Sequence, residues 1–119
     1  MAFDAHLAER LRDALLSHPE LTEQKLFGCV CFFLHGHAAV GVWKDRLIVR
    51  LGPDEAEASL RESHVRAFDI TGKPMRNWVC VELAGLETDE ALWEWIERGL
   101  QFVRTLPRKG TKSTKRGPR

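Results

Sequence analysis

From Lys25 to Pro53 the chain reads KLFGCVCFFLHGHAAVGVWKDRLIVRLGP, a succession of short apolar runs broken by turn residues. Residues 26–34, 38–43 and 47–51 are rich in Val, Ile, Phe, Trp and Cys, which predicts three strands. His35-Gly36 and Lys44-Asp45 supply the turns, and the first contains the Gly that a tight hairpin favours. Side chains alternate across a strand, so each run assigns residues to two faces. One face carries Cys29, Cys31, Phe33, Ala38, Val40, Val42, Leu47, Val49 and Leu51, and is wholly apolar. The other carries Val30, Phe32, Leu34, Ala39, Trp43 and Ile48, relieved only by Arg46 and Arg50. An antiparallel sheet with one wet side shows polar alternation there, and this one does not. Both faces must be covered, and this requirement constrains the fold more than any other feature.

Flanking segments supply the helices. FDAHLAERLRDALLSH places Leu7, Leu11 and Leu15 on one face, with Asp4 as N-cap and Pro19 beyond the end. Gly52-Pro53 opens a short helix over DEAEASLRES, with proline at the first helical position and acids in the first turn. Strands follow over 64–70 and 78–83, joined by TGKPMRN, a loop of turn formers. Thr88 caps a last helix, DEALWEWIERGLQFVRTL, in which Leu92, Trp95, Gly99 and Val103 share a face. The expected order is α-β(3)-α-β(2)-α, an α+β fold of two layers with an antiparallel sheet. Helices cover the first sheet face. On the second, Val30, Phe32, Leu34, Trp43, Ile48, Arg50 and Trp78 are expected to form an interface with a second copy or another protein. If the last helix instead crossed to that side, the patch would be ordinary core.

Cys29, Cys31, His35 and His37 fall within nine residues and invite a metal reading. A hairpin at His35-Gly36 separates Cys29 from His35 by about 20 Å at a rise of ~3.3 Å per residue. Zinc holds its ligands at about 2.0–2.3 Å, so these donors are not expected to share an ion. No dinucleotide, P-loop, zinc-protease or nucleophile-elbow motif occurs. Cys80, in WVCVEL, has no flanking base to activate it. No catalytic residue, cofactor or metal is assigned.

The 119 residues carry a net charge of +1 that conceals an asymmetry. Arg108, Lys109, Lys112, Lys115, Arg116 and Arg119 lie in the last twelve residues, which hold no acid. The body is left with twelve bases against seventeen acids, a net charge of −5. One domain is expected over residues 1–107, followed by a disordered basic tail over 108–119 that offers weak, non-specific nucleic-acid binding. With no apolar run near 18 residues, no membrane span is expected. Three cysteines, an odd count, suggest a reducing cytoplasm.

Phe27-Gly28, Gly36, Gly52-Pro53, Gly72, Pro74-Met75 and Trp78, with the Trp-bearing last helix, carry a family resemblance. The chain from about residue 2 to 107 resembles the N-terminal domain of the TfoX/Sxy family of bacterial competence regulators. Cys29 stands where that family's pattern has a second Gly, and His35 where it has Asn. The resemblance implies a two-layer α-β(3)-α-β(2)-α fold similar to type III secretion chaperones. It also implies a regulatory role linked to transcription, exercised in the full regulators beside a separate C-terminal helical domain that this sequence does not contain. The expected function is a non-enzymatic regulatory or interaction module. The alternatives are a small enzyme or ligand-binding protein using a helix–sheet pocket, and a chaperone-like binder of extended peptide.

Overall fold

The computed structural model describes residues 4–26, 28–68 and 77–107. Helix α1 (Ala5–Ala14) begins where Asp4 accepts a hydrogen bond from the Leu7 amide at 2.9 Å, satisfying one of the donors a helix start leaves open. A single 3-10 turn, Leu15–Ser17, ends it before Pro19. Four strands follow: β1 (Thr22–Leu26), β2 (Cys29–Leu34), β3 (His37–Trp43) and β4 (Arg46–Arg50). Helix α2 (Pro53–Ser59) starts on its proline, and β5 (Val65–Ala67) and β6 (Trp78–Glu82) lead to α3 (Asp89–Arg104). The α3 start is capped by the Thr88 hydroxyl, which accepts from the Ala91 amide at 3.0 Å.

All six strands join in one antiparallel sheet of order β1-β2-β3-β4-β6-β5. The fold is α+β, with one strand more than the sequence pattern predicts. Residues 26–34 do not form one strand, because the chain reverses between Leu26 and Cys29, which face each other across β1 and β2. Gly28 takes φ 78°, a left-handed conformation that a side chain disfavours, and so closes this hairpin. The next turn, His35-Gly36, has positive φ at both positions, matching the twist of the flanking strands.

Pairing between β2 and β3 contains a bulge. Leu34 faces His37 and Phe33 faces Ala38, but Phe32 faces Val40, leaving Ala39 as the extra residue. Unbroken pairing from the His35-Gly36 turn would set Cys31 opposite Val40, whereas Cys31 faces Gly41. A one-residue slip moves a whole strand's side chains to the other face. Val30, Phe32 and Leu34 therefore join Val40, Val42, Leu47, Val49 and Leu51 in the core beneath the helices. Two glycines make room for this arrangement. A β-carbon on Gly41 would stand 2.6 Å from the Val30 carbonyl oxygen, and one on Gly99 would stand 2.8 Å from that of the bulged Ala39.

Leu7, Ala8 and Leu11 of α1 and Leu92, Trp95, Ile96, Leu100 and Val103 of α3 close this core from above. α3 thus lies on the same side as α1 and does not cross the sheet. Arg10 ties the two helices by donating to the Leu86 carbonyl at 2.8 Å, just before the α3 cap. The sheet's open edges are β1 and β5. Thr22, Glu23, Gln24 and Lys25 of β1 are all exposed, and β5 is only three residues long.

Candidate interaction surface

The face away from the helices carries a second apolar cluster: Cys29, Cys31, Ile48, Phe68 and Cys80, flanked by half-buried Phe33, Trp43 and Trp78. The register explains its layout. Cys31, Gly41, Ile48 and Cys80 form one row across β2, β3, β4 and β6, and Cys29, Trp43, Arg46 and Glu82 form the next. Phe68, just past β5, reaches over the middle of the sheet and is only 5% exposed. Its ring meets Trp43 edge-on at 5.2 Å between centroids and Trp78 at 5.9 Å, geometries that aromatic quadrupoles favour.

Of the residues expected at an interface, Trp43, Ile48 and Trp78 lie on this face. Val30, Phe32 and Leu34 do not: they are 0%, 5% and 2% exposed within the helix-side core, because the bulge inverts β2. Arg50, at the end of β4, sets its guanidinium 5.8 Å from the Phe102 ring of α3. Cys29, Cys31 and Phe33, expected beneath the helices, take the places that Val30, Phe32 and Leu34 vacate. The strand expected over 64–70 ends at Ala67, so Phe68, expected inside it, lies just beyond its end, and residues 69 and 70 lie outside the described residues. The bulge had one signal, Gly41 inside the apolar run AAVGVW, since glycine within a strand often marks irregular pairing.

Cations rim the surface. Arg46 and Arg66 flank Cys80, with Arg66 donating to Glu82 at 3.2 Å, and Lys44 lies 4.8 Å from the Trp43 ring. Burial raises all three thiols: Cys29 above the ordinary 9.0, Cys31 to about 11 and Cys80 to about 12. The Arg46 guanidinium opposes the Cys80 shift without overcoming burial. These are packing thiols, not nucleophiles. The folded protein at pH 8 will resist a bulky thiol reagent at all three positions, whereas denaturant will release three equivalents; fast reaction in the folded state would contradict the burial. Unfolded thiols lose their protons near pH 9, while Cys31 and Cys80 hold theirs to about 11 and 12. The stability tied to them is therefore complete below pH 9 and is lost as pH rises through those values.

The two histidines of the hairpin have separate surroundings. His35 occupies the turn with φ 54°. His37 is buried at 8% exposure, and its Nε2 donates to the Pro107 carbonyl at 2.6 Å, fixing the chain beyond α3. Among the described residues, no three His, Cys, Asp or Glu side chains are grouped to hold a metal, and no helix is long and apolar enough to cross a membrane. Arg108, Lys109, Lys112, Lys115, Arg116 and Arg119 lie outside the described residues, as do residues 69–76, which include Gly72 and Pro74-Met75.

A family model described as the TfoX N-terminal domain matches residues 13–103, from the last turn of α1 almost to the end of α3. The chain belongs to the TfoX N-terminal domain family. No curated protein and no solved structure matches it. The TfoX N-terminal match takes in the whole six-stranded sheet, so Trp43, Phe68 and Trp78 are carried by the family's own framework rather than by an appended segment. It stops before the basic residues 108–119.

Proposed function

We propose that this TfoX N-terminal domain is a non-enzymatic regulatory module that works through protein–protein contact, in a role connected with transcription. The observation that carries the reading is the aromatic face of the sheet. Phe33, Trp43 and Trp78 remain half-buried there, while the helices are engaged on the opposite side. Large aromatics rimmed by arginines form the anchor-and-rim pattern of interfaces, where Trp and Arg are enriched. The proposed occupant is a second copy of the chain, related by a two-fold axis.

The test is the oligomeric state. Wild-type protein is expected to sediment as a dimer at high micromolar concentration. Trp43→Glu is expected to yield a folded monomer, since removal of a central aromatic anchor costs ~2 kcal/mol or more, about thirty-fold in Kd. A wild type that stays monomeric at those concentrations would overturn the self-association. Circular dichroism of Trp43→Glu separates loss of the interface from loss of the fold.

A further inference from the structure

We draw no further inference here: the strongest candidate, the buried and unpartnered Nδ1 of His37 at the start of β3 with the likewise unpartnered Nε of Arg50 at the end of β4, carries nothing, because nothing in the structure joins the two atoms into one site or shows what meets them.

Discussion

Replacing Gly41 with alanine will destabilise the protein by about 3 kcal/mol, near the upper end of the cost of overpacking a tight site. The new β-carbon would stand 2.6 Å from the Val30 carbonyl oxygen and 3.1 Å from the Cys31 α-carbon. Both are main-chain atoms held in the β2–β3 ladder, so neither can rotate away. The Cys31 sulfur, also at 3.1 Å, is the only flexible member of the set. Adding Cys31→Ala to the same chain will therefore recover only a small part of the loss. Thermal melts should show a drop of about 10 °C, given the size of the domain. A neutral Gly41→Ala would mean that Cys31 does not face position 41, and that the bulge at Ala39 is misplaced.

Phe32→Ala and Phe33→Ala will part sharply, although the residues are adjacent and identical in chemistry. Phe32 packs among α1, α3 and the helix-side strands at 5% exposure, and its truncation is expected to cost about 3–5 kcal/mol. Phe33 lies half-buried beside Cys31 on the other face, and its truncation is expected to cost roughly 1–2 kcal/mol, in proportion to the apolar area it hides. Chemical denaturation of the two variants at matched m-values decides the order. The reverse order would restore the uninterrupted alternation that the sequence suggests and place Val30, Phe32 and Leu34 on the aromatic face.

That contrast marks where sequence reasoning reached its limit. Helices were legible because their signals are local: Asp4 and Thr88 cap as expected, Pro53 starts α2, and Leu92, Trp95, Gly99 and Val103 line a buried stripe. Faces of β4 and β6 were legible too, since Leu47 and Val49 alternate with Ile48, and Val79 and Val81 with Trp78 and Cys80, without interruption. β2 was not legible, because both of its faces are apolar and alternation alone cannot say which is which. Its assignment rests on register, and register depends on one extra residue at Ala39 whose carbonyl is accommodated by Gly99, sixty positions away. The hairpin at Gly28 was hidden for a related reason: Leu26 and Phe27 lead into Cys29 across a single glycine with no polar residue between. Trp43 and Trp78 could be placed on the aromatic face from their strands, whereas Phe68 reaches it from beyond a strand's end.

The edges of the sheet determine how copies of this molecule can and cannot meet. An exposed strand edge is a template for endless strand addition, the route to fibres and aggregates. Here β1 presents Glu23 and Lys25 along an exposed, polar strand, and β5 offers only Val65, Arg66 and Ala67 before it ends. Neither edge supplies a long apolar ladder for another chain to extend. Lateral growth is discouraged, and the proposed two-fold contact through the aromatic face would close on itself after two copies. Edges so built oppose strand-by-strand growth even when the protein is concentrated.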